Sequence, residues 1–545
     1  MKTTAIPKEY LPPVEYLPKK VYRLPWLQYP QRLNIMRSFY EDVVKDWNKV
    51  AILYKDERIT FSELRNNVNK VANALKDLGV EKDDRVMLRS PNIPEFIYAL
   101  YACWTIGAIP VMVMPLLRVN EILHRGNDSE AKIMIVSSDA FMDIDKAIPQ
   151  LKTLENVITI GERMESCLFW DDIIKDQPTE CEIADTNRDD LARLLYSSGT
   201  TGLPKGAIAH VVDMCVLGDV HGKYMLHLKE DDVIGGHPVF TFAMGGVFPL
   251  YLARVGCSLS IAKTPTPEEM FETVEKHKIT VLLCVPSFFK SMLRVEDAEK
   301  RYDLSSLRLC QSAGEWLPGN TRLEWKRRFG VDILDHLGSG DGGYWMGMPE
   351  GAPDDKSDAT GFPAPGFECK IVDANFNEVP VGQDGELIFL GPDGHEYWRR
   401  PDKQMEGVHD GWSRPGLIYM KDKDGYFWYK GRTDDMIVSS GYKIPGGEVE
   451  NVLLDHEAVF EAAVVASPDP LRGYVVKAFV VLNKGYEPSD KLAKKLQDFV
   501  KVKIEPYKYP RKIEFVEGAK LPRTSTGKIQ RRVLRDMEET GEKLK

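Results

Sequence analysis

Short apolar runs alternate with helical segments along most of this chain, and that alternation limits it to an α/β architecture. Arg85–Leu88, Lys132–Ser137, Thr280–Val285 and Arg308–Cys310 are each a few residues long and stand between stretches with helical spacing. The pattern predicts mainly parallel strands packed by helices. One helix can be placed from its first turn. Thr60-Phe61-Ser62-Glu63-Leu64 opens with a capping-box arrangement, and Val68, Ala72, Leu75 and Leu78 follow on one face. From Gly361 to Pro392 the pattern changes to short strands between Gly/Pro turns (Glu368–Val372, Gly385–Leu390), as in a small barrel or sheet. After Gly431-Arg432-Thr433-Asp434-Asp435 comes a remainder of roughly 110 residues, long enough for a small α+β domain. The predicted division is therefore 1–432 and 433–545.

Composition excludes several classes. The 545 residues are 43% hydrophobic and 28% charged, enough to bury a sizeable core. A net charge of −10 argues against a nucleic-acid partner, which usually demands a basic face. Eight cysteines at 103, 167, 181, 215, 257, 284, 310 and 369 form no CxxC pair. They read as reduced cytosolic thiols, not as a disulfide framework or zinc site. The first twenty residues lack the apolar core of a secretory signal. Phe96–Leu117 carries no charge and approaches the length of a membrane span. Gly107, Pro110 and Pro115 interrupt it, so a helix, a turn and a buried strand (Ile109 to Val113) are expected there. The chain reads as cytoplasmic, with no membrane span.

The main chemical signal is Tyr196-Ser197-Ser198-Gly199-Thr200-Thr201-Gly202-Leu203-Pro204-Lys205-Gly206, directly after the apolar run Leu191–Leu195. Hydroxyls, close-approaching backbone N–H groups and the Lys205 cation suit a polyphosphate. It is not a Walker A loop, which needs Gly-Lys-Ser/Thr at a fixed spacing. A flexible Ser/Gly turn is the bland alternative. Near the C-terminus, Lys528 stands at a Gly-containing loop tip, Thr524-Ser525-Thr526-Gly527-Lys528. It could be a cation placed to meet a phosphate, or it could be one more exposed lysine beside Arg531, Arg532 and Arg535. Fixed cations of this kind stabilise the negative charge that builds up in phosphoryl transfer.

These segments resemble the adenylate-forming superfamily, which includes acyl-CoA synthetases, luciferases and adenylation domains. Further matches follow in the family's order. Pro91-Asn92-Ile93-Pro94-Glu95-Phe96 and Gly107-Ala108 resemble its early core, Ser312-Ala313-Gly314-Glu315 its adenine-contact turn, and Gly431 to Asp435 its hinge. Within the superfamily the chain is most similar to the benzoate and 2-aminobenzoate CoA ligase branch. Phe240 to Gly246, Asp424 to Tyr429, Leu496 to Lys501 and Pro506 to Arg511 carry that narrower likeness. The resemblance implies an AMP-forming acid–thiol ligase using ATP, Mg2+ and coenzyme A, with a small C-terminal domain that rotates about Asp434. Lys528 would serve adenylation. The nucleotide would lie against Ser197 to Gly202, Lys205, Ser312 to Glu315, Asp335, Leu337, Gly338 and Arg432. Phe242, Ala243, Met244 and Gly245 would border the acyl group, although a packed core segment explains any one of them equally well. Gly441 and Tyr442 would flank the CoA channel, and a homodimer is compatible with this picture.

Two departures qualify the resemblance. Where the family has Gly-x-Thr-Glu, this chain has Gly338-Ser339-Gly340-Asp341. Gly340 lacks the phosphate-binding hydroxyl, and Asp341 is one methylene shorter than the usual magnesium ligand. Where the family has Thr-Gly-Asp, here stands Pro415-Gly416-Leu417, and Leu417 cannot accept the ribose hydroxyls. Hydrogen bonds to charged groups are worth about 1.5–3 kcal/mol each, so the loss bears on adenosine affinity. Two classes stay open at this point. One is a working ligase for benzoate, a substituted benzoate, or a cyclic or branched acid. The other is a repurposed relative that binds acyl-CoA or a nucleotide without catalysis.

Overall fold

The computed structural model describes residues 6–197, 204–263, 265–439, 442–470, 473–524, 527–542 and 544. Two large sheets form the body. In one, strands Leu168–Phe169, Asn156–Ile160, Ile133–Ser137, Arg85–Arg89, Ile109–Met112 and Leu191–Ser197 lie side by side and parallel, and Lys205–His210 closes the edge antiparallel. In the other, six parallel strands run in the order Ile333–Gly338, Leu309–Ser312, Val281–Cys284, Val233–Gly236, Ser258–Ile261 and Val50–Tyr54. The four apolar runs singled out in the sequence are all strands of these sheets.

The charge-free stretch starts inside helix Pro94–Ile106, after Glu95 in its first turn; Gly107 at φ +76° ends the helix, and strand Ile109–Met112 follows. Its side chains share one apolar core with Leu88 and Ile133 of the first sheet and Leu259 and Leu283 of the second. A helix packed on both sides has no use for a polar face, which explains the absence of charge. The capping box at Thr60 is present. Thr60 Oγ1 accepts from the Glu63 N–H at 3.2 Å, and Glu63 Oε2 accepts from the Thr60 N–H at 2.8 Å. Among the described residues, no helix is long and apolar enough to cross a membrane.

A smaller antiparallel sheet holds Asp384–Leu390, Leu417–Lys421 and Phe427–Arg432. The short turn Thr433–Asp435 leads from it into the ribbon Met436–Ser439 and Tyr442–Pro445. The ribbon lends Ile437 and Ile444 to a separate core with Leu453, Val464, Leu496 and Val500. This smaller C-terminal domain carries a three-stranded sheet and helices Gly446–Leu454, Asp490–Lys503 and Arg531–Thr540. It meets the larger domain where Lys290 donates to the Phe460 carbonyl and Arg294 donates to Asn483 Oδ1 at 3.0 Å.

Candidate active site

Strand pairing brings the candidate residues to one edge. In the second sheet Gly236 pairs with Leu283, Cys284 with Ser312 and Ser312 with Asp335. The carboxyl ends of these parallel strands, and the loops beyond them, therefore open into one crevice, the usual ligand position in open α/β sheets.

The turn after His237 forms one wall. Asn92 accepts from the Phe240 N–H at 2.8 Å and donates to the Pro238 carbonyl at 3.0 Å, which fixes the turn's path. Phe242 and Ala243 keep accessible side chains. Met244 does not: it is 3% exposed and belongs to the central core. At Gly245 a Cβ would lie 1.9 Å from the Val239 carbonyl oxygen, so glycine is required for the close approach. These two residues shape the wall from behind instead of lining it. His237 lies flat on Phe288, with ring centroids 4.0 Å apart and planes within 3°. Burial pushes its imidazole down to about 3, so it is neutral.

Lys528 reaches this wall from the small domain, its Nζ 5.8 Å from the Phe242 ring centroid. The loop that presents it is tied by the Thr524 N–H to the Lys528 carbonyl at 2.8 Å. Burial pulls the Lys528 ammonium below its ordinary pKa, with Glu315 opposing and Arg432 and Arg531 adding to the fall. Burial likewise raises the Glu315 carboxyl, with Lys528 opposing. The hinge and lysine-loop motifs thus converge on the Ser312–Glu315 turn. Ser312 and Ala313 are buried, while Gly314 and Glu315 are accessible.

Next to this pair lies a second charged group. Lys205 stands 3.2 Å from Asp341 Oδ2 and 3.8 Å from the Tyr397 ring centroid, and the Tyr397 hydroxyl donates to the same carboxylate at 2.8 Å. Burial acts to raise the Asp341 carboxyl, but Lys205 and Tyr397 outweigh it and hold Asp341 ionised. An ionised carboxylate at this point fits a divalent cation. At Gly340, beside Asp341, a Cβ would lie 2.7 Å from Leu195 Cδ2 and 3.6 Å from Ala243 Cβ. The hydroxyl missing from the sequence therefore has its space filled by a leucine.

The nucleoside end differs. Ser312 Oγ and Asp335 Oδ1, buried on paired strand ends, take no hydrogen bond within the chain. Two orphaned polar atoms at a crevice edge fit a ligand that brings its own N–H groups. Beyond them the surface is apolar. Leu337 and Leu417 both pack against the cluster built on Trp345, Phe389 and Tyr419. Leu417 pairs with Arg432 across the antiparallel strands, which brings Arg432 to the crevice. Asp422 cannot replace the missing acceptor, because it is held by Lys356 at 2.7 Å and Trp428 at 2.9 Å. Gly338 is closed by the Gly343 carbonyl oxygen, 2.3 Å from where a Cβ would sit.

Ser198, Gly199, Thr200, Thr201, Gly202 and Gly441 lie outside the described residues, as do the side chains of Ser197, Asp434 and Tyr442. The sequence reading missed Tyr397, His237 and Phe288. None of them carries a Gly-rich or motif signature, and only the fold brings Tyr397 to Asp341 and lays Phe288 on His237.

Known proteins match along the same span. The AMP-binding enzyme family matches residues 39–395, and the AMP-binding enzyme C-terminal domain matches residues 448–528. Benzoate–CoA ligase of Thauera aromatica is 34% identical over 483 residues, 87% of this chain and 90% of the relative. Acetyl-coenzyme A synthetase of Bacillus subtilis is 33% identical over 507 residues, 90% of this chain and 88% of the relative. The crystal structure of the anthranilate CoA ligase AuaEII with anthranoyl-AMP superposes with a TM-score of 0.89 at 33% identity, covering 94% of this chain and 98% of that one. A benzoate CoA ligase from Burkholderia xenovorans LB400 superposes at 0.84 and 30% identity, covering 92% and 100%.

Proposed function

The chain belongs to the AMP-binding enzyme family, and from that premise we propose that it activates an aromatic or cyclic carboxylic acid to its CoA thioester through an acyl-adenylate. CoA ligases of this family use ATP, Mg2+ and CoA. A carboxylate oxygen of the acid attacks the α-phosphorus and pyrophosphate leaves. The CoA sulfur then attacks the acyl carbon and AMP leaves. The observation that carries this reading is Lys528, brought from the small domain to Phe242 and Glu315 at the mouth of the strand ends. There a cation can offset charge on both the carboxylate and the transferred phosphate. Lys205 would face the polyphosphate. Asp341 would hold the magnesium ion, which supplies charge neutralisation to the leaving pyrophosphate.

The acid pocket is read from flat walls: Phe242, and the His237–Phe288 stack. Small Ala243 leaves width for a ring. We place the domain boundary at 432/433 and the pivot at Asp434, whose turn joins two sheets with separate cores. Gly441 and Tyr442, on the far side of the turn, would then flank the thiol's path. Dependence on ATP and CoA pools agrees with a cytoplasmic enzyme.

The alternative of a non-catalytic binding protein finds no support in the relatives named above, each of them a ligase or synthetase over nearly its full length. ATP–pyrophosphate exchange and thioester formation across benzoate, 2-aminobenzoate, cyclohexane carboxylate and acetate test the proposal. A flat-ring acid is expected to give the highest kcat/KM. Preference for acetate would overturn the aromatic reading, and no exchange with any acid would overturn the ligase reading.

A further inference from the structure

We propose that Lys20, on the N-terminal segment, is a positioning residue for adenylation: its ammonium is a built-in cation that holds Glu396 and, through the adjoining Tyr397, sets Asp341 and Lys205. The inference rests on the ligase reading above.

Lys20 is buried, its side chain 3% exposed, and its Nζ lies 2.8 Å from Asp213 Oδ2, 2.8 Å from Glu396 Oε1 and 3.1 Å from His210 Nδ1. The ligand atoms of His210, Asp213 and Glu396 all lie within 4.8 Å of one another, the spacing of a metal-binding group. Here the chain supplies the cation itself. Burial acts against the ammonium, but Asp213 and Glu396 outweigh it and hold Lys20 charged. Burying a charge is expensive unless its partners are close to ideal, so this cage is a poor way to gain stability alone.

Its connection to the crevice is short. The Ile208 N–H donates to the Glu396 carbonyl at 3.0 Å and the Trp398 N–H to the Gly206 carbonyl at 2.8 Å, so residues 396–398 run beside the strand that begins with Lys205. Neighbouring side chains of an extended stretch point to opposite sides. Glu396 accordingly faces Lys20 while Tyr397 donates to Asp341 at 2.8 Å. Asp213 and Asp393 also line one small cavity with Arg193, Gly340 and Asp341, of about 10 Å³. The segment that delivers Lys20 is pinned on both sides, by the Lys19 N–H to the Gly411 carbonyl at 2.9 Å and the Val21 N–H to the Gly391 carbonyl at 2.8 Å. Gly394 is closed against Pro18, 2.4 Å from where a Cβ would stand.

The test uses the full chain with Lys20→Met, Lys20→Arg and the charge-balanced Lys20→Met/Asp213→Asn, which serves if Lys20→Met alone does not fold. Lys20→Met, or the double variant in its place, is expected to raise KM for Mg·ATP at least tenfold while changing KM for the acid less than twofold. Thioester formation from pre-made acyl-adenylate should keep the wild-type rate, and Lys20→Arg should recover part of the loss. A purely structural role would instead lower the yield of active enzyme and leave both KM values alone, which overturns the proposal. Hydrogen exchange supplies a readout independent of activity. Peptides covering 338–345 and 393–400 should lose protection together in the Lys20 variants. If only 393–400 responds, the link to Asp341 does not exist. Wild-type protein without pyrophosphate exchange would count against the ligase reading, and the peptide pair would still decide the role of Lys20.

Discussion

At one end of the crevice Lys205 and Tyr397 hold Asp341 at 3.2 and 2.8 Å; at the other, Leu337 and Leu417 pack on an aromatic cluster, and Leu417 stands where the family pattern has a hydrogen-bonding carboxylate. The difference shows which contacts the fold can exchange. Burying a leucine is worth roughly 1.5–3 kcal/mol, about what one charge-assisted hydrogen bond supplies. For folding, Leu417 is therefore a fair replacement. For a ligand it is not, because packing within the chain gives the ribose nothing. At the charged end no such replacement is open, since Lys205 and Tyr397 together hold Asp341 ionised and an apolar residue can do neither. We therefore expect affinity and turnover to respond strongly there and weakly at the nucleoside end.

The largest expected effect is at Lys528. Lys528→Ala should reduce adenylate formation by about 10²–10³-fold, the usual cost of one transition-state donor. Thioester formation from pre-made acyl-adenylate should survive, as measured in separate half-reactions. Equal loss in both would mean that Lys528 does not serve one step only. Next in size is Asp341→Asn, which takes the carboxylate from Lys205. A fall of roughly 10–100-fold in kcat/KM for ATP is expected, and Tyr397→Phe should cost less, about 2–10-fold, because Lys205 still holds the carboxylate after that charge-assisted hydrogen bond is lost. If the two variants are equally impaired, Tyr397 acts on substrate directly and not through Asp341.

Restoring the family's residue gains little at either end of the crevice, at Gly340 beside Asp341 or at Leu417 on the nucleoside side. Gly340→Thr would bring Cβ to 2.7 Å from Leu195 Cδ2, so it should lower stability by about 1–3 kcal/mol before any phosphate contact is gained. Leu417→Asp should tighten AMP or ATP by only a few-fold, because the new carboxylate must leave the apolar cluster. Calorimetric titration of each variant, with denaturation midpoints alongside, separates the two terms. A gain of a hundredfold at Leu417→Asp would show that the ribose site is intact apart from one side chain, and the contrast drawn above would fail.

The smallest effect concerns docking of the small domain. Burial at the interface, with Arg294 nearby, lowers Lys290 to about 8. Because the docked pKa lies below the ordinary value of 10.5, docking opposes protonation. The penalty is full below pH 8 and fades as pH rises from about 8 to 10.5. A donor–acceptor dye pair across the domains should report more of this orientation as pH rises through that window. Lys290→Met should flatten the response.

Much of this was legible in advance. The apolar runs, the capping box at Thr60 and the Gly107 turn are local patterns, and local patterns survive into the fold because packing reinforces them. The motif segments marked Lys205, Glu315, Asp341 and Lys528 for the same reason: each combines residue types that few other roles require. The acyl wall was less legible. Met244 and Phe242 are both large and apolar, and no sequence pattern says which of them is turned into the core. Lys20 and Tyr397 were invisible, one in a Pro- and Lys-rich N-terminal segment, the other in Gly394-His395-Glu396-Tyr397, which has no period.

By itself, then, the sequence determined the α/β architecture, the reaction class implied by its motifs and the absence of an acceptor at position 417. Those properties reside in residue identity or in short-range periodicity, and both can be read from neighbours along the chain. The tertiary structure alone decided that Lys20 sits among His210, Asp213 and Glu396, that Leu195 fills the space beside Gly340, and that Leu337 and Leu417 share one cluster. Each of these joins residues tens to hundreds of positions apart, and such pairs are set by strand order and register, which no single segment encodes.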